Sequence, residues 1–206
     1  MGWSSLGVLK MLNVKYVISL QDFPHSDFEL IFQGNLFHKG KKQIANVYSY
    51  KYFTPRVFFV DKLRKISEND IQFQALKESG FDPRSSSFVE HKPQEFEHSI
   101  NSKVNIIHWA PDKIEIDVIT PTKQFMVLSE IFYPKGWQIT SHPEWEIYPV
   151  NTILRGLYVP EGQYKVIMEF IPQDIYYGSM LTWISSGFII SLLIIGTIIN
   201  RKSDES

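Results

Sequence analysis

Residues 102–131 read SKVNIIHWAPDKIEIDVITPTKQFMVLSEI, and this stretch decides the fold. Ile114, Ile116 and Val118 alternate with Glu115 and Asp117, the period-two pattern of a half-buried strand. Before them, Val104, Ile106 and His108 alternate with Asn105, Ile107 and Trp109, and Pro111-Asp112 makes the turn. A further strand fits residues 124–131. Beyond it, strands fit 136–140, 145–149, 152–159 and 163–171, with Pro160-Glu161-Gly162 as a tight turn before the last. Several short strands joined by turns predict a mainly β fold, an antiparallel β-sandwich-like domain centred on residues 102–178.

Upstream, residues 1–101 read as a mixed α/β region that packs on the sandwich. A short amphipathic helix is expected over 4–13, with Leu6, Leu9 and Leu12 on one side, followed by a strand at 14–19. Residues 21–42 contain Pro24, Gly34, Gly40 and several lysines and read as turns around a short strand at 28–32. Strands follow at 43–53 and 56–60, divided by Pro55. Residues 67–79 form the clearest soluble helix, with Ser67 as N-cap, Asp70 in the capping-box position and Gly80 as C-terminal cap. Ile71, Ala75 and Leu76 are expected to face the core. A brief strand is expected near 87–90.

Downstream the texture changes. The chain carries 21 basic and 22 acidic residues, and none of them lies between Met180 and Asn200. A helix of that length is about 31 Å long, the thickness of a bilayer's hydrocarbon core. Residues 179–200 therefore read as a transmembrane helix and 201–206 as a cytoplasmic tail, because Arg201 and Lys202 follow the segment. Tyr176, Tyr177 and Trp183 suit an interfacial aromatic belt. This orientation places the β domain outside the membrane, with bilayer lipid as a partner. Residues 6–20 are interrupted by Lys10 and Lys15 and make a poor signal peptide. The expectation is thus a piece of a longer membrane protein; a tail-anchored domain facing the cytosol is the other option.

Composition narrows the chemistry. A net charge of −1 offers no electrostatic case for nucleic acid as a partner. The absence of cysteine excludes thiolate zinc sites and cysteine nucleophiles. Glu90, His91, Glu95, Glu97 and His98 are the densest group of metal-capable side chains, but Pro93 breaks any helical face and the spacing is not that of a zinc helix. They read as a solvated linker, and no metal or other cofactor is expected. No G-x-S-x-G elbow or Gly-rich phosphate loop occurs. Glu130, at a strand end, would serve as a general acid if its pKa were raised. The plainer reading pairs it with a cation such as Arg155, and no residue is assigned a catalytic role. Trp and Tyr faces can stack on sugars while carboxylates take the hydroxyls. Trp137 reads as core. Trp145, Tyr148 and Glu130 are the candidates for carbohydrate contact.

One longer run carries a resemblance. Residues 129–172 hold Ser129, Glu130, Tyr133, Pro134, Gly136, Trp137, Asn151, Arg155, Val159, Pro160 and Gly162 in an order that resembles the C-terminal region of YfhO-like bacterial membrane proteins. LNVKYVI at 12–18, TPRVFFV at 54–60 and GFDP at 80–83 look similar too. One departure is Ser141-His142-Pro143-Glu144, where the family often carries Asp-Gly. The resemblance implies a polytopic, lipid-linked-sugar glycosyltransferase whose catalytic region lies in parts absent from this chain. This chain would supply the extracytoplasmic C-terminal domain and last membrane helix. Its partners would be the remaining transmembrane region and an envelope glycan. The alternative is a non-enzymatic, membrane-anchored binding or scaffold module for envelope polysaccharide or a partner protein.

Overall fold

The computed structural model describes residues 6–204, so the expected helix start at residues 4–5 lies outside it, as do the side chains of Arg201 and Lys202. Among the described residues the fold is mainly β, with three sheets and three helices, the last of them a long apolar helix at the C-terminal end.

The centre is a six-stranded sheet in the order β4 (Val57–Phe59), β9 (Gln124–Ile131), β12 (Leu154–Val159), β11 (Tyr148–Val150), β6 (Ser87–Val89) and β5 (Leu63–Lys65). Its pairings are antiparallel except β5–β6, which is parallel. Strands from either side of residue 101 share this one sheet. A four-stranded antiparallel sheet lies over one face, in the order β10 (Trp137–Ile139), β13 (Gly162–Phe170), β8 (Lys113–Thr120) and β7 (Lys103–Trp109).

Period two explains how the central sheet is covered on both sides. Met126, Leu128, Leu157 and Val159 pack with Ile114, Ile116, Val166 and Met168 inside the sandwich. Their alternates Phe125, Val127, Leu154 and Tyr158 pack on the other face with Met11, Leu76 and Phe88. That second face is closed by α1 (Leu6–Met11) and α2 (Asn69–Leu76). All six positions of β12 are therefore buried. Gly156 is the small residue this requires, since a Cβ there would fall 2.5 Å from the Phe125 ring and from Val150 Cγ2.

The third sheet departs from expectation. β1 (Tyr16–Ser19), β3 (Lys41–Tyr50) and β2 (Phe28–His38) form a three-stranded antiparallel sheet, and β2–β3 is a long hairpin rather than loops around a five-residue strand. The turn is Lys39-Gly40, with φ of 50° and 73°, the two left-handed residues that match the twist of a two-residue hairpin. A register shift between Leu30 and Phe32 absorbs one extra residue.

α2 is shorter than its sequence suggests and starts after Glu68, whose side chain makes no cap bond. It buries Gln72 beside Leu76 and leaves Ile71 exposed. Gln72 turns inward because its amide is fully used: Nε2 donates to the Ile66 carbonyl at 2.6 Å, and Oε1 accepts the Thr152 N–H at 2.9 Å.

α3 runs over Gln173–Asp204, and its segment Gln173–Gly196 is long and apolar enough to cross a membrane. None of that segment is buried against the rest of the chain, so it is not a core helix of the domain. Thr182 and Ser191 donate to the carbonyls of Gly178 and Gly187, four residues back, at 2.9 and 2.8 Å. Such bonds satisfy hydroxyls where no water is available.

Candidate functional site

The site is built by a break in strand pairing. Between β12 and β9 the register jumps from Leu154↔Ile131 to Arg155↔Leu128, leaving Ser129 and Glu130 without direct partners on β12. This irregularity brings Glu130 beside Arg155 at the end of the central sheet. Arg155 is 2% exposed, a buried cation in an otherwise apolar strand. Its Nε donates to the Ile131 carbonyl at 3.1 Å, and Nη2 lies 3.7 Å from Glu130 Oε2. The guanidinium stands 4.1 Å over the Trp137 ring. Burial pushes the Arg155 pKa down to about 10, and Glu130 opposes that shift, so the side chain stays charged at neutral pH. Nη1 is buried and has no hydrogen-bond partner among the described residues.

Glu130 is a junction rather than a free acid. It also accepts from Arg56 Nη1 at 2.9 Å and from Trp109 Nε1 at 3.2 Å. Arg56 in turn lies 4.9 Å over the Trp109 ring. Two arginines thus share one carboxylate, each with a tryptophan against its face.

Arg155 forms part of the wall of an open groove of about 510 Å³, whose other lining residues include Tyr133, Trp137, Gln138, Trp145 and Glu146. That size lies within the ordinary range for small-ligand clefts. Trp145 is held in place rather than loose. It stacks on His142 at 4.3 Å and meets Tyr164 edge-on at 5.0 Å. The loop beneath it is fixed by Ser141, whose hydroxyl lies 2.8 Å from His142 Nδ1 and accepts the Ile167 N–H at 2.9 Å.

Of the three sequence candidates, Trp145 lines the groove and Glu130 stands behind its wall through Arg155. Tyr148 is on the opposite face of the sheet, its ring tilted against His91 with centroids 4.3 Å apart. Its hydroxyl donates to Glu146 at 2.8 Å, and burial, followed by that carboxylate, pushes its pKa up to about 12. Burial likewise holds the His91 pKa below its ordinary value. His98 pairs with Asp61 at 3.1 Å. Among the described residues no three acidic or histidine side chains gather where a metal could bind.

The sequence pointed to Arg155 as a partner for Glu130 and as one of the residues carrying the resemblance, but not as a wall of the groove. The available signal was a lone arginine in L-R-G-L-Y-V, since arginine is rarely buried without a purpose for its donors. Aromatic faces beside a buried, partly unsatisfied guanidinium can hold a sugar ring and bind its hydroxyl or acidic groups. No family model matches the chain, and neither a curated protein nor a solved structure matches it.

Proposed function

We propose that this chain is the extracytoplasmic β domain and closing membrane helix of a YfhO-like glycosyltransferase. In that reading the groove holds an envelope glycan, while the catalytic region lies elsewhere in a longer protein. The observation that carries the glycan role is a groove of about 510 Å³ whose wall combines the Trp137 and Trp145 rings with the Arg155 side chain. The order of matching residues over 129–172 supports the family, and the unpacked apolar helix supports the anchor.

The second reading, a non-enzymatic module that binds envelope polysaccharide, draws on the same groove. It is favoured by Glu130 being committed to two arginines and a tryptophan instead of facing a substrate. Both readings require the groove to bind sugar. The full chain in lipid nanodiscs, applied to a glycan array, tests this. Trp145→Ala and Arg155→Met are each expected to weaken glycan binding by about tenfold or more, as losses at a binding hot spot do. Binding that survives both substitutions unchanged refutes the groove. Turnover of a lipid-linked sugar by membranes carrying the longer protein, lost with Arg155→Met, separates transferase from binding module.

A further inference from the structure

From Leu30 to Val60 the chain contains no acidic residue, while Lys39, Lys41, Lys42, Lys51 and Arg56 all fall inside that stretch. In a chain of net charge −1 this is a strongly polarised lobe. It is the β2–β3 hairpin beyond Glu29, together with its exit. Among the described residues the outer half of the hairpin is left uncovered: Phe37 is 77% exposed, Phe32 62% and Ile44 61%. These side chains are not confined to one face. Phe32 pairs with Val47 and Leu36 with Gln43 on one side, whereas Asn35 pairs with Ile44 and Phe37 with Lys42 on the other. A soluble hairpin normally turns only one apolar face inward.

The root of this sheet lies at the end of the sandwich from which α3 departs. The Asn13 side-chain amide donates to the Thr54 carbonyl, and Ser129 Oγ donates to the Met11 carbonyl at 2.7 Å. Arg56 then reaches Glu130, which also takes Trp109. Trp109 ends β7 beside the turn whose Asp112 carbonyl accepts the Phe170 N–H at 2.8 Å, two residues before Pro172 and α3.

We infer that the β2–β3 hairpin is a second membrane contact, its aromatic and apolar tip entering the headgroup region of an anionic bilayer while Lys39, Lys41 and Lys42 bind the lipid phosphates. Basic charge complements such a surface, and apolar side chains on both sides of a tip suit the boundary between headgroups and acyl chains. The hairpin is about 30 Å long, enough for its tip to reach a surface near its root. The inference goes beyond the glycan role and rests only on α3 spanning the bilayer.

The chain has no cysteine, so a single one reports cleanly. Phe37→Cys in the full chain is labelled with an environment-sensitive fluorophore and reconstituted into phosphatidylcholine vesicles, with or without phosphatidylglycerol. With the anionic lipid, the label is expected to shift to the blue, resist iodide and be quenched by shallow lipid-borne spin labels. Replacing Lys39, Lys41 and Lys42 by Gln is expected to lower the inserted-to-free ratio about a hundredfold, near fivefold per lysine. Ile44→Cys, on the same face as Phe37, gives the same reading if Phe37→Cys fails to fold. A label quenched equally by iodide in both lipid mixtures overturns the inference. So does protection that tracks protein density instead of anionic lipid, which would mean pairing with a second copy. Carbonate extraction reads α3 separately: a chain that is retained but whose hairpin stays in water fails only here.

Discussion

Glu130 and Arg155 offer a prediction whose two halves have unequal sizes. Removing the carboxylate strands a buried cation, whereas removing the cation does not strand the carboxylate. In Glu130→Ala, Arg155 loses the carboxylate 3.7 Å from its Nη2 while remaining 2% exposed. Breaking a buried pair in this way costs about 3–5 kcal/mol. Glu130 is itself one-fifth exposed and water can enter, so the expected loss is about 2–3 kcal/mol. Arg155→Met keeps most of the buried stem and removes the charge. Glu130 then retains Arg56 at 2.9 Å and Trp109 at 3.2 Å. The main losses are the stacking on Trp137 and one bond to a carbonyl near solvent, together about 1 kcal/mol. Thermal unfolding of the full chain in detergent, followed by near-ultraviolet circular dichroism, reads the contrast. Glu130→Ala is expected to lower Tm by about 5–10 °C and Arg155→Met by less than about 4 °C. The double variant should resemble Arg155→Met, because the stranded charge is gone. If Arg155→Met is as damaging as Glu130→Ala, the buried guanidinium holds the fold together and the account of the groove is wrong.

Asn151 sits fully buried at φ 49°, its Oδ1 accepting the Phe88 N–H at 2.8 Å and its Nδ2 donating to Ser87 Oγ at 3.1 Å. Asn151→Ala leaves that N–H unsatisfied and is expected to cost about 3 kcal/mol in the same melting assay. Gly156→Ala would drive a methyl against Phe125 and Val150 and is expected to cost about 1–3 kcal/mol. Glu115 is held at a pKa of about 2, chiefly by its hydrogen bonds with Lys165 at 2.8 Å and Lys113 at 3.0 Å. Because this pKa is depressed on folding, its stabilisation is complete above the ordinary carboxyl range and is lost as pH falls from about 4.5 towards 2. Glu115→Gln should flatten that part of the Tm-against-pH curve, and an unchanged slope would remove the claim. For topology, Ile100→Cys is expected to react with a membrane-impermeant maleimide in intact cells; protection until lysis would place the domain on the inner side.

Much of the sandwich was legible because its strands obey period two. The strand at 124–131 matches its observed bounds, and the alternation at Ile114, Ile116 and Val118 identified the buried face of β8. Trp145 and Tyr148, grouped together from the sequence, part company because Trp145 sits in the loop before β11 and lines the groove, whereas Tyr148 opens β11 and packs against His91 on the opposite face. The hairpin was less legible because its turn is Lys39-Gly40 instead of Asn-Gly and because Gly34 resembles a break. Gly34 is tolerated inside β2, where the Phe32 ring lies across the space its side chain would fill. β5 was missed since three residues carry almost no periodic signal, and its parallel pairing to β6 depends on contacts distant in sequence. Arg155's place in the groove wall was hidden for another reason. The bulge that brings Glu130 beside it is a property of two strands together, and neither strand's sequence displays it.

The position of the groove bears on what it would receive. Trp137 and Tyr133, in its wall, both contact the Phe170 ring, with centroids 5.6 and 5.9 Å away. Phe170 ends β13, and the next residue donates from Ile171 N to the Gly136 carbonyl at 2.7 Å. α3 begins at Gln173, and Tyr176 and Tyr177 follow about 5 Å further along its axis. On the proposed reading those tyrosines mark the bilayer interface. The groove then opens near the headgroups, where a sugar carried on a lipid would be presented. A soluble oligosaccharide gains nothing from that placement, whereas a membrane-held one gains effective concentration. The comparison to make is therefore between the same sugar free and lipid-linked, with the chain in nanodiscs. Preference for the lipid-linked form, lost with Trp145→Ala, is the outcome this geometry requires; equal affinity for both would mean that the groove's place beside α3 has no part in recognition.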